Sequence, residues 1–158
     1  MKGSEIERYM LMAVEEAEKG MRKMDGGPFG AVIVRDGEVL AAAHNEVVGS
    51  NDPTAHAEIV AIRKACSRLG SFNLEGSILF ATGEPCPMCF SAIHWAHIER
   101  VYYCNSKDDA ADIGFDDTFI SEIIEGRRPD PIPFIREKSD RCGRLLKLWS
   151  ENPQKVPY

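Results

Sequence analysis

Residues 31–43 read AVIVRDGEVLAAA. Two β-prone runs flank Asp36-Gly37, a dipeptide that tolerates positive φ and so suits the two-residue turn of a hairpin. The first two strands are therefore expected to pair antiparallel. Upstream, residues 4–24 set Ile6, Met10, Ala13, Ala17, Met21 and Met24 near helical spacing. Ser4 is a candidate cap for that helix, and Gly26-Gly27-Pro28 breaks it. Downstream, residues 46–54 read as a loop, with Thr54 a candidate cap for a helix over about 55–69. A strand at 78–82 follows, then a helix from Pro85 to about 97 and a strand at 100–104. Short helices at 106–112 and 118–125, a strand at 132–136, a helix over 139–151 and an extended tail with two prolines complete the chain. Strands separated by helices need crossover connections, whereas the hairpin is antiparallel. The expectation is an α/β fold: a three-layer α/β/α sandwich around a mixed sheet of about five strands.

A length of 158 residues suits one globular domain, 1–158, with its own core. The apolar runs, such as Ala31–Val34 and Ile78–Ala81, fall far short of the roughly 18 residues of a membrane span. The N-terminal helix carries acidic residues and does not read as a signal peptide. Net charge is −6, and the densest basic pair, Arg127-Arg128, sits among acidic residues. Binding to nucleic acid rests on Lys and Arg neutralising phosphates, so a polyanionic partner is disfavoured. Of five cysteines, Cys86 and Cys89 are close in sequence. Cys66, Cys104 and Cys142 are scattered and expected to be small buried hydrophobes. An odd count with one C-x-x-C suits a metal site in a reducing cytoplasm better than a disulfide framework.

Two segments carry chemistry: His56-Ala57-Glu58 and Pro85-Cys86-Pro87-Met88-Cys89. Each falls at the expected start of a helix, whose partly positive N-terminus favours thiolates. One imidazole and two thiolates make a zinc set with a fourth position left for water, as catalytic sites require. Zinc lowers the pKa of bound water to about 7. Glu58, two residues from the histidine, is placed to take a proton from that water. The pattern H-x-E…P-C-x-x-C is the signature of zinc deaminases, with the Glu as general acid/base and not a ligand. A closed structural site would instead need a fourth protein ligand, for which His44, His94 and His97 are the candidates.

At these residues the chain resembles the cytidine deaminase superfamily, and more narrowly its bacterial guanine deaminases. The resembling stretches are GGPFGAVIV (26–34), NDPTAHAE (51–58), AIRKAC (61–66), EPCPMC (84–89) and DDAADIGFDD (108–117). The last of these and a terminal tyrosine point to the guanine branch. The resemblance implies a five-stranded sheet between helices, and a homodimer whose C-terminal tail, about 151–158, crosses to cap the partner's site. It implies one zinc per subunit on His56, Cys86 and Cys89, with Glu58 shuttling protons. Asn45 would hydrogen-bond a purine, and Asp117 would assist a second proton transfer. Phe29, Ala57 and Trp95 would contact substrate, and Tyr158 would arrive from the partner. Asp116 or Asp117 also suits the cap of a helix starting near Thr118. Gly83 departs from the larger residue usual before EPC.

The activity this implies is hydrolysis of guanine, a small purine base, to xanthine and ammonia. Guanosine, cytosine or ammeline as substrate, adenosine in tRNA, and a non-catalytic zinc-stabilised binding module are the other readings.

Overall fold

The computed structural model describes residues 2–157. Helix α1 (Gly3–Lys23) precedes strands β1 (Gly30–Arg35) and β2 (Glu38–His44). A one-turn helix α2 (Val47–Ser50) and helix α3 (Ala57–Leu69) lead to β3 (Ser77–Gly83), α4 (Pro87–Trp95) and β4 (Arg100–Asn105). Helices α5 (Lys107–Asp112), α6 (Thr118–Ile124) and α7 (Asp140–Glu151) follow.

The hairpin forms as expected. Asp36 and Gly37 both take positive φ, 52° and 81°, the turn whose twist matches the flanking strands. The sheet order is β2-β1-β3-β4. β1 is antiparallel to both neighbours, and β3 and β4 are parallel across the α4 crossover. Side chains alternate across the sheet with period two. Val32, Val34 and Phe80 meet Tyr9 and Ala13 of α1 on one face. Ala31, Ile33 and Leu79 meet Val60, Ala61 and Ala65 of α3 and Ile93 of α4 on the other. Helices on both faces of a mixed sheet make the three layers.

Several expectations are corrected. The sheet has four strands among the described residues, not five. Residues 132–136 form no strand. Pro131 and Pro133 remove backbone donors that a ladder needs, and Phe134 is 86% exposed. The loop at 46–54 contains α2, closed by Asn51 in the left-handed region. Lys2, not Ser4, holds the N-cap position of α1, and its N–H is bound by Glu5 at 2.7 Å. His56, not Thr54, holds the N-cap position of α3, without a side-chain bond to the helix, and the Thr54 N–H and hydroxyl are both bound by the Asp52 carboxylate. Cys104 and Cys142 are exposed and Cys66 is half-buried, so none of the scattered cysteines is a core residue.

None of the described residues after Ala96 is buried. The core lies wholly in the first three-fifths of the chain, and on its α1 face Phe80 sits between Tyr9 and Tyr102, ring centroids 5.2 Å from each. Phe80→Ala is expected to lower the unfolding free energy by about 3–5 kcal/mol. Urea titration of the two proteins measures the difference.

Candidate active site

Two helix starts converge on one point. His56 occupies the N-cap of α3 and Cys86 that of α4, with Pro87 opening α4 where a missing N–H has no consequence. The Cys89 N–H donates to Cys86 Sγ at 3.5 Å. His56 Nδ1 lies 3.6 Å from Cys86 Sγ and 3.6 Å from Cys89 Sγ. Ligand atoms roughly 2.0–2.3 Å from a tetrahedral zinc stand about 3.6 Å apart, so the donor set fits the ion in type and spacing. No further His, Cys, Asp or Glu joins the cluster among the described residues. His44 is excluded as a fourth ligand because both its ring nitrogens face the carboxylates of Glu16 and Asp25. A closed four-donor site is therefore not built among the described residues, and His56 and Cys86 both line a cavity.

The donors share protons closely. The bond from the Cys89 thiol, together with His56 and the Cys89 N–H, outweighs burial and pulls the Cys86 thiol down to about 4. The same thiol–thiolate bond, with burial, pushes the Cys89 thiol up. The Cys86 thiolate likewise raises the His56 imidazole above its ordinary range. A dication favours loss of these protons, so metal affinity here rises with pH.

The cavity has a volume of about 580 Å³. His56, Glu58 and Cys86 line its floor, and Phe29, Asn45, Phe115 and Asp117 stand around it. Glu58, in the first turn of α3, is 7% exposed. Burial raises its carboxyl above the usual range, which suits a group that must both accept and return a proton. Asn45 is 5% exposed; its Oδ1 accepts the Val47 N–H at 3.2 Å, which leaves the amide NH₂ for the cavity. Asp116 and Asp117 divide two tasks. Asp116 caps the Thr118 N–H at 2.9 Å, while Asp117 makes no cap bond. Burial, against the pull of Lys107, raises the Asp117 carboxyl.

Two expected contacts are not in this constellation. The Ala57 methyl is buried in the core beneath the site and does not line the cavity. Trp95, at the far end of α4 from the cysteines, is 64% exposed and also lies outside the lining. Tyr158 falls outside the described residues. Phe115 carries no motif of its own beyond its place in the GFDD stretch, yet it lines the cavity. Its ring meets Phe29 edge-on, centroids 4.9 Å apart, and the pair forms an aromatic wall.

Residues 3–105 match the cytidine and deoxycytidylate deaminase zinc-binding region. The chain belongs to this deaminase family. It is 50% identical to the guanine deaminase of Bacillus subtilis strain 168 over 153 residues, 96% of this chain and 98% of that one. The crystal structure of guanine deaminase from Bacillus subtilis superposes with a TM-score of 0.92 at 43% identity, covering 100% of this chain and 99% of the other. The tRNA-specific adenosine deaminase of Aquifex aeolicus strain VF5 is 44% identical over 97 residues, 61% of this chain and 64% of that one.

Gly83 now has a physical reading. A Cβ there would lie 3.2 Å from both Cδ1 and Cε1 of Phe29, so glycine lets the ring seat back from the cavity. Gly83→Ala is expected to press Phe29 into the pocket and lower kcat/KM for deamination by about tenfold, ~1.4 kcal/mol of transition-state binding. Steady-state kinetics alongside thermal melts check it; the melting temperature should barely move.

Proposed function

We propose that this deaminase hydrolyses guanine to xanthine and ammonia as a single domain, 1–158, with one zinc per subunit on His56, Cys86 and Cys89. The observation that carries the reading is a buried Glu58 carboxyl beside the three donors, on the floor of a cavity of about 580 Å³ with an aromatic wall. When bound, zinc supplies the Lewis acidity that makes water a nucleophile at neutral pH. Glu58 would take one proton from the attacking water and pass it to a ring nitrogen as the new C–O bond forms on the amino-bearing carbon. It would then take the second proton from the hydroxyl on that carbon and, with Asp117, deliver it to the amino nitrogen as the C–N bond breaks and ammonia leaves. The raised carboxyls of both residues support proton-carrying roles. Asn45 donates its amide N–H to an acceptor on the purine, and Phe29 packs against the ring. A substrate lacking that acceptor leaves a buried donor unpaired, which is how such sites discriminate.

The similarity to tRNA-specific adenosine deaminases makes tRNA the second reading. Against it stand the net charge of −6 and a cavity in whose lining Lys107 is the only cationic residue. No helix of the described residues is long and apolar enough to cross a membrane. With five free cysteines, the cytoplasm is the proposed compartment.

Ammonia release from zinc-loaded protein against guanine, guanosine, adenosine, cytosine and ammeline tests the substrate, with a tRNA substrate in parallel. Guanine is expected to be turned over preferentially. Glu58→Gln should keep its zinc and lose turnover by about 10²–10⁴-fold. Preference for another member replaces guanine, and a Glu58→Gln enzyme of normal activity overturns the proton-transfer role.

We also propose a homodimer whose tail, about 151–158, reaches the partner's site. Supporting it, Phe134, Leu145, Leu146 and Trp149 are exposed in the single chain by half or more. Such apolar surface marks an interaction site. Co-expression of Glu58→Gln with a variant truncated at residue 150 tests the crossing. A tail from the full-length subunit should restore turnover at the intact Glu58. Two inactive proteins that stay inactive together would show that the tail serves its own subunit.

A further inference from the structure

One buried titratable group has no part in the chemistry above. His44 ends β2 immediately before Asn45 and is 4% exposed. Its Nδ1 lies 3.1 Å from Glu16 Oε2 on α1, and its Nε2 lies 2.9 Å from Asp25 Oδ2 in the segment after α1. The ring thus bridges carboxylates on two different segments. Burial would raise the Glu16 carboxyl, but hydrogen bonds from Lys19 and His44 hold it below the ordinary range. The ring is seated against Gly20 of α1, where a Cβ would fall 2.6 Å from His44 Cδ2 and 2.8 Å from Cγ. Glycine within a helix is unfavourable for conformational entropy, and the imbedded imidazole accounts for it here.

Asp25 passes this anchorage to the cavity. Its carbonyl accepts the N–H groups of Val48 at 2.9 Å and Gly49 at 2.8 Å, the turn that follows Asn45. Next in sequence, Gly26 lies so near Asn45 that a Cβ would stand 2.0 Å from Asn45 Oδ1. Phe29, three residues further, accepts the Asn45 N–H at its carbonyl, 2.9 Å away. Asn45 is thus bounded by a segment whose first residue is held by His44, while His44 itself does not line the cavity.

We propose that His44 is a positioning residue for substrate recognition. Its clamp on Glu16 and Asp25 ties α1 and the Asp25–Phe29 segment to the end of β2, and so fixes the Asn45 amide and the Phe29 ring that receive the base. This rests on the deaminase reading of the same cavity. The clamp acts on binding and not on the proton transfers, since Glu58 and the three metal donors lie in or at the N-caps of α3 and α4, and Asp117 at the N-cap of α6.

The test uses His44→Gln, which can bond only one carboxylate well, and Gly20→Ala, which removes no polar group but crowds the imidazole. Both are compared with the wild type on whichever base the wild type deaminates. KM is expected to rise about tenfold in each, with kcat within about threefold and zinc content unchanged. Amide hydrogen exchange gives a readout independent of turnover. The Asn45, Val48 and Gly49 amides should exchange faster in both variants, while amides of α3 keep their protection. A rise in KM below about threefold in folded, zinc-loaded variants, or unchanged exchange at those three amides, overturns the proposal. Wild-type protein inactive on guanine counts against the guanine reading alone, because the exchange comparison still decides the role of His44.

Discussion

His56 Nδ1 stands 3.6 Å from two sulfurs that follow it by 30 and 33 residues. Much of the fold exists to keep that distance. α3 and α4 pack on the same face of the sheet through Val60, Ala61, Ala65 and Ile93, so their N-termini open toward the same side. The segment that delivers Cys86 is tied down just before it, because the Glu84 N–H is bound by the Asn105 carbonyl at 2.8 Å, at the end of the parallel neighbour β4. A metal set tolerates displacement of only about half an ångström. Placing the donors at the rigid starts of helices, rather than in a free loop, meets that tolerance.

The same convergence decides the electrostatics. A Cys86 thiolate, Glu58, Asp117 and Glu84 crowd one region, relieved by Lys107 and by two helix N-termini. Like charges and burial act together on Glu58 and Asp117, and both carboxyls are raised. They differ in depth. Glu58 is buried beside the donors and reaches the floor, while Asp117 stands half-buried in the wall. A bound dication would add the largest local charge and set the balance among these groups. Asp116, one residue away, is removed from the chemistry by its bond to the Thr118 N–H.

Local features were legible in the sequence. The Asp36-Gly37 turn needs only two residues with positive φ, and the two zinc segments announce themselves by residue type and spacing. Asn45, Glu58 and Asp117 all reach the cavity where expected. Features set by tertiary context were not. The apolar run at 132–136 reads as a strand from propensity, yet its prolines and lack of a partner leave it unpaired. Trp95 follows the cysteines on one helix, but α4 runs away from the cavity over its nine residues. Ala57 sits between two site residues and points the other way, because neighbours on a helix do not share a face. His44 carried no motif at all; its meaning lies in two carboxylates 28 and 19 residues away.

The cavity draws on two parts of the chain that differ in how they are held. Its floor, His56, Glu58 and Cys86, comes from the part of the chain that carries the core. Its outer wall comes from Lys107 to Ile120, where no described residue is buried. The last helix, α7, has 12 residues, a length at which an isolated helix is marginal in water. Its Leu145, Leu146 and Leu148 side chains are each at least 65% exposed. Full burial of one such side chain is worth roughly 1.5–3 kcal/mol, so a surface that covered them would order the helix decisively. The proposed homodimer offers such a surface. On that arrangement Glu58 and the three donors would lie in the part of one subunit that carries the core, and Asp117 in the wall beyond it that a second chain would cover.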